Sequence, residues 1–375
     1  MAIMGHSIAA YNGGVHMRND FVQLLFRTAP ATFILVFGVF VELVYGSTFV
    51  KHGPAAAAKK LFSRAVQCYT LYVLSCVVLT FIEGYSASYL LRMALLLGAT
   101  PFTDILKFYS IMLLIAPLLL YVRINHGFAP LVAFCIAIHA IHFMFYPLPY
   151  YENFPGSNIL FGFLYGATTD IAGPSVLHGI TFVVTGMWLG NFIKGNMERY
   201  RLLDLQRPQV IYLFIACSLL TIVGWTQFEG DYLHALAGMG FRNSNSYIYF
   251  AFGIAGAIIT IDLCMRLTER LGSERIKPIL FLGGTSLFIF CFGNILIYFT
   301  RTEDLSQGQA VAATLATAAA NVLMAWSYNK IRARIEQMDP NLPFVRRYKF
   351  ISKGYADAIA ARMVGLMYKP QVVMA

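Results

Sequence analysis

The chain has 375 residues, of which 58% are apolar and only 12% charged, about half the charged share of a soluble domain. This composition excludes a soluble enzyme or a freestanding binding module and implies a polytopic membrane protein. The net charge of +10 does not indicate a nucleic-acid partner, because basic residues of membrane proteins collect in cytoplasmic loops.

Taken from the start, residues 1–11 are apolar but too short to span alone, with neither the basic start nor the cleavage site of a signal peptide. They read as a partial first span: the end of a helix that begins upstream, or a half-helix buried among the others. Apolar runs long enough to cross hydrocarbon follow near residues 29–48, 67–84, 105–123, 128–146, 174–193, 209–226, 246–265, 279–299 and 309–328. The expected fold is therefore an all-α polytopic membrane protein of about ten transmembrane helices. A membrane domain would cover 1–328 and a basic cytoplasmic tail 329–375.

The stretch 33–73 organises the rest. An apolar run is followed by a basic hinge with Lys51, Lys59, Lys60 and Arg64 and no acidic residue, and a second apolar run begins at Ala65. Such a hinge is expected in the cytoplasm. Because each span reverses direction, that placement leaves only Arg18, Arg27, Arg92, Lys107, Arg242 and Arg301 outside, out of 28 Lys and Arg. Both termini are then expected to be cytoplasmic.

On the outer side, residues 84–103 hold an apolar piece (89–97) too short to span, which reads as a re-entrant or interfacial helix. Residues 147–174 are aromatic and Gly-rich without Lys or Arg, and 228–246 add Glu229, Asp231, His234 and Arg242. Such groups suit a sugar-like ligand, and equally an ordinary membrane interface. The six cysteines lie in or at the edge of apolar runs at no ligand spacing, so they read as small core residues with no disulfide or metal site. In the tail, 351–367 is basic and partly amphipathic and is expected to lie on anionic lipid.

Ionisable groups inside spans are costly, so each is a functional candidate. Asp262 can reach Arg266, four residues on, and a structural role suits it best. His139 and His142 share a helix face; with no third ligand at matching spacing, hydrogen-bonded interface histidines are the better reading than a metal pair. Glu42 must pair or be protonated, and a packing partner for Arg64 or for the His6 helix competes with direct chemistry. His178, at the outer start of its span, suits ligand contact and structure alike. His6 is flanked by Gly5 and Ser7, small residues that let a helix or a substrate approach.

The run Phe37-Gly38-Val39-Phe40-Val41-Glu42-Leu43-Val44-Tyr45-Gly46, followed by Arg64-Ala65-Val66-Gln67-Cys68-Tyr69, resembles the OpgC family, part of the acyltransferase-3 group of membrane O-acyltransferases. Thr100-Pro101-Phe102-Thr103-Asp104-Ile105-Leu106-Lys107-Phe108-Tyr109, Ala116-Pro117-Leu118, Phe182-Val183-Val184-Thr185-Gly186-Met187-Trp188-Leu189-Gly190 and Gly283-Gly284-Thr285-Ser286-Leu287 match further, in family order. The resemblance implies transfer of an acyl group, succinyl or acetyl, from cytoplasmic acyl-CoA to hydroxyls of a periplasmic glucan or other glycan, at the bacterial inner membrane. It implies no bound cofactor, since acyl-CoA is the donor substrate.

The wider group carries an Arg-Gly near the start of its first span and a His near its end. Met4-Gly5-His6-Ser7 matches the His end, which makes His6 the implied catalytic residue. The Arg-Gly half has no counterpart, so a start upstream of Met1 or a member without that arginine both stay open. Arg64, at an inner helix mouth, is suited to hold CoA phosphate in a bidentate fork, and His178 and Glu42 are the candidate substrate contacts. A buried imidazole could take the acceptor's proton or carry the acyl group. The competing readings are a transporter or flippase for a glycan or acidic substrate, whose paired broken helices the Gly and Pro positions do not show, and an inactive membrane scaffold.

Overall fold

The computed structural model describes residues 2–11, 20–145, 157–166, 174–195, 202–203, 208–228, 230–238, 240–302 and 305–368. Arg18, Arg199, Arg201, Arg207, Glu229, Lys369 and the aromatic stretch 147–156 fall outside them. Within them every regular element is a helix. In order these are α1 (Ala2–Tyr11), α2 (Asp20–Phe40), a π-helical turn (Val41–Gly46), α3 (Ser47–His52), α4 (Pro54–Glu83), α5 (Ala87–Ala94) and α6 (Asp104–His126). Then come α7 (Ala129–Phe145), α8 (Ser157–Tyr165), α9 (Val176–Lys194), α10 (Pro208–Gln227), α11 (Tyr232–Ala237), α12 (Gly240–Asn243) and α13 (Tyr247–Leu271). The chain closes with α14 (Ser273–Gly284), α15 (Ser286–Thr300), α16 (Gln307–Gln337), α17 (Pro343–Lys349), a second π-helical turn (Phe350–Gly354) and α18 (Tyr355–Met367).

Among the described residues seven helical segments are long and apolar enough to cross a membrane, or eight if the pair α14–α15, bent by 62°, is one span. The other two expected segments are the apolar α7, at 17 residues, and α1, at 10 residues. The re-entrant piece expected after the third span is α5, capped by Ser86, whose hydroxyl accepts from Tyr89 N–H at 3.2 Å.

The basic hinge is not a loop. Gly53 alone, at φ 84°, separates α3 from α4, and Pro54 opens α4; a left-handed residue followed by Pro is a compact helix stop and start. Lys59, Lys60 and Arg64 therefore ride on the first turns of α4, with Lys60 Nζ 3.3 Å from Thr48 Oγ1.

α2 is the axis of the larger core, packed between α9 and α13. Glycines permit the crossing with α9. A Cβ at Gly38 would collide with the Val183 carbonyl, one at Gly186 with the Leu35 carbonyl, and one at Gly190 would lie 2.9 Å from Val39 O. Gly186 and Gly190 are one turn apart, the small-residue spacing that lets membrane helices touch backbone to backbone. On the α13 side, a Cβ at Gly253 would meet Ala31 Cβ at 2.7 Å. A second, smaller core joins α4, α5 and α15 through Tyr72, Cys76, Leu79, Met93, Cys291 and Tyr298. Of the six cysteines, all free, Cys264 is exposed and the others are buried.

The tail is held against the bundle by its last helix. α18 packs on α4 through Ala58, Phe62 and Ala360, and Ser63 Oγ donates to Asp357 Oδ1 at 2.6 Å. The expected tail boundary at 329 falls inside α16, which runs on to Gln337.

Candidate active site

His6 sits in the smaller core. α1 is tied to the bundle by the Tyr11 hydroxyl, 2.7 Å from Thr300 Oγ1 and 2.6 Å from Thr317 Oγ1. One and a half turns earlier, His6 Nδ1 lies 2.8 Å from Asn294 Oδ1. Asn294 is six residues before Thr300 on α15, so at 1.5 Å rise per residue His6 lies about 9 Å in from that end of the helix. The imidazole is walled by Phe102 at 5.0 Å and, edge-on, Phe290 at 5.7 Å between ring centroids.

The loop that presents Phe102 is held by its carbonyls. Asn294 Nδ2 donates to Phe102 O at 3.2 Å. Tyr298, one turn on along α15, donates its hydroxyl to Pro101 O. Phe102 itself is at φ 64°, a left-handed backbone that costs a bulky residue about 1–3 kcal/mol and persists only where surroundings impose it. From the other side, Tyr72 and Tyr69 on α4 donate to Met93 O at 2.7 Å and Ala94 O at 2.5 Å, anchoring α5.

Just beyond the loop, Asp104 accepts from Lys107 Nζ at 2.9 Å and from Thr100 Oγ1 at 3.2 Å. Lys107 is 1% exposed, and its ammonium lies 4.6 Å from the centre of the Phe163 ring. A cation this deep is tolerated because a carboxylate and an aromatic face compensate it.

Glu42 belongs to a different centre. It lies in the π-helical turn of the α2–α3 rod and is 4% exposed. Its partner is neither Arg64 nor the His6 helix, as expected from sequence, but Arg123 at the end of α6. Arg123 Nη2 donates to Glu42 Oε1 at 3.1 Å and to Asn191 Oδ1 at 2.8 Å. Glu42 Oε2 and Arg123 Nε are buried without a hydrogen-bond partner among the described residues. Arg64 is exposed nearby on α4 and donates to Gln67 Oε1 at 2.9 Å.

A third cluster forms where α7 meets α9. The His178 ring stands between His139 (5.1 Å) and His142 (4.6 Å), both approached edge-on. His139 Nε2 is 3.0 Å from Thr181 Oγ1, His142 Nε2 donates to Ser244 O at 2.7 Å, and His178 Nδ1 is 2.7 Å from Ser175 Oγ. His178 Nε2 is buried with no partner among the described residues. Although α9 supplies a third histidine, no three His, Cys, Asp or Glu side chains among the described residues are placed to hold a metal ion.

Asp262 is structural, through Arg266 as expected and through one further role. Its Oδ1 accepts from the backbone N–H groups of Leu202 and Leu203 at 2.9 and 3.0 Å, while Oδ2 accepts from Arg266 Nε at 2.6 Å.

His6 thus lies within the smaller core and Arg64 on an exposed face of α4, with His178 and Glu42 in separate clusters. Residues that sequence reading passed over complete the His6 centre: Asn294, Phe102, Asp104 and Lys107. Asp104 and Lys107 stand in the quoted 100–109 run, three apart, a spacing that pairs charges on a helix. Asn294 carried only the weaker signal of an uncharged amide within an apolar run.

A family model described as OpgC protein matches residues 22–90 and 180–337. No curated protein and no solved structure matches the chain significantly. The matched residues include the runs 37–46, 64–69, 182–190 and 283–287; His6, the run 100–109 and His178 lie outside them.

Proposed function

This chain belongs to the OpgC family, and on that premise we propose that it is a multi-pass O-acyltransferase of the bacterial inner membrane. Membership supports a glucan-modifying, acyltransferase-like role in general terms. The finer reading is transfer of succinyl or acetyl from cytoplasmic acyl-CoA to a hydroxyl of a periplasmic glucan, with His6 as base. The observation that carries it is His6 itself: Nδ1 is engaged by Asn294, and Nε2 makes no hydrogen bond among the described residues.

In the proposed step Nε2 takes the proton of the acceptor hydroxyl as its oxygen attacks the thioester carbonyl. The tetrahedral intermediate collapses with loss of the C–S bond, and the imidazolium returns the proton to the thiolate sulfur. One ester and one free CoA thiol result, with no net proton change. Arg64 on the surface of α4 takes the CoA phosphates. Glu42, in its own cluster with Arg123 and with one carboxylate oxygen unpaired, is the proposed substrate contact, and His178 offers its Nε2 to the acceptor.

The test is label transfer in nanodiscs from radiolabelled succinyl-CoA or acetyl-CoA to glucan oligosaccharides. Labelled glucan is expected from the wild type, with turnover lower by roughly 10²–10⁴-fold in His6→Gln. Uptake of labelled glucan into proteoliposomes without any acyl transfer would establish a transporter instead.

A further inference from the structure

We infer that Asn294 is the positioning residue for His6: it fixes which ring nitrogen carries the proton and aims the other at the substrate. This rests on the reading of His6 as the base. Asn294 is 0% exposed, so its amide must be satisfied by protein, and both ends are. One end lies 3.2 Å from the Phe102 carbonyl. A carbonyl cannot donate, so the end facing it is the NH₂ group. The oxygen is thereby turned to His6, 2.8 Å from Nδ1. An amide oxygen cannot donate either, so the proton of that bond resides on Nδ1. In a neutral imidazole the lone pair then belongs to Nε2, the nitrogen left for a hydroxyl.

The amide cannot readily turn over, because what it reads is itself fixed. Phe102 is held at φ 64°, and the preceding carbonyl, of Pro101, is bonded by the Tyr298 hydroxyl from the same face of α15. The side chain of Phe102 also forms one wall of the imidazole. Backbone and ring of a single loop residue therefore set the orienting amide and the ring plane together. A tautomer-setting partner on the far nitrogen is a recurring requirement for a histidine base, and its loss costs turnover rather than binding.

The other charged groups acting on His6 are Asp104, Arg27 and Arg242, with Lys107 paired to Asp104; none changes in the variants below. The experiment follows carbethoxylation of His6 by diethyl pyrocarbonate against pH, read by mass spectrometry of the His6 peptide from the intact protein in nanodiscs. The reagent takes only an unprotonated imidazole nitrogen, so it needs no knowledge of the acyl acceptor.

Asn294→Asp keeps shape but sets a carboxylate against Nδ1, which favours the imidazolium. The modification midpoint is expected to rise by about one pH unit or more, and the acid limb of kcat to move with it while both KM values hold. Asn294→Leu removes the acceptor while keeping the branching and the number of side-chain heavy atoms, and is expected to slow modification and kcat about tenfold or more. An unmoved midpoint in Asn294→Asp, or no modification of wild-type His6 at neutral pH, overturns the proposal. Should Asn294→Leu fail to fold, the Asp variant decides alone. Normal turnover in His6→Gln would instead sink the reading of His6 as base, and the midpoint would still decide whether Asn294 sets the ring.

Discussion

A single nitrogen of Arg123, Nη2, bridges Glu42 Oε1 at 3.1 Å and Asn191 Oδ1 at 2.8 Å, tying the end of α6 to the π-helical turn and to α9. The Glu42 carboxylate is 4% exposed, so its charge depends on this neighbour. Removing one partner of a buried pair strands the other, at about 3–5 kcal/mol. Arg123→Ala is therefore expected to lower thermal stability in detergent sharply. The double variant Glu42→Ala/Arg123→Ala should recover much of the loss, because it leaves no stranded charge. Equal losses in the single and double variants would show that the guanidinium serves by its packing on Phe128, 4.5 Å away.

Gly186 and Gly283 both lie in the quoted family runs but should respond oppositely to one methyl group. At Gly186 a Cβ would collide with the Leu35 carbonyl, whereas at Gly283 nothing lies within 4 Å. Gly186→Ala is expected to cost about 1–3 kcal/mol or more through forced separation of α2 and α9. Gly283→Ala should be neutral or stabilising. Thermal melting of the purified variants, followed by size-exclusion chromatography, compares them directly.

Arg64 is proposed to hold donor phosphate from the surface of α4, where it donates to Gln67 Oε1 at 2.9 Å. Arg64→Lys keeps the charge but loses the bidentate fork, and KM for acyl-CoA is expected to rise about tenfold, in line with one lost charged hydrogen bond. Turnover at saturating donor should be unchanged. An unaltered donor KM in Arg64→Ala removes the residue from the donor site.

The expected orientation rests on the distribution of basic residues and can be read by reporters. A periplasmic reporter fused at residue 160 should be active, and a cytoplasmic one fused at residue 200 should be active. The reverse pair would invert the expected topology and place His6 near the cytoplasmic side.

Local apolarity was legible in the sequence because burial in lipid acts on each run by itself. The runs expected at 105–123 and 209–226 are α6, Asp104–His126, and α10, Pro208–Gln227, and the short outer piece is α5. Membership of the family was legible in local runs too, and in two of them Gly38, Gly186 and Gly190 mark where α2 and α9 touch. Partner choice was not legible, because it joins residues far apart in the chain. Glu42 meets Arg123 rather than Arg64, since the end of α6 brings Arg123 against the π-helical turn while Arg64 is exposed on α4. His178 comes between His139 and His142 only once α9 lies on α7. Sequence determined that His6 would be an imidazole among apolar helices. Which of its nitrogens holds the proton was decided by an amide 288 residues away, because a tautomer answers to the atom opposite, and only the packed fold supplies that atom.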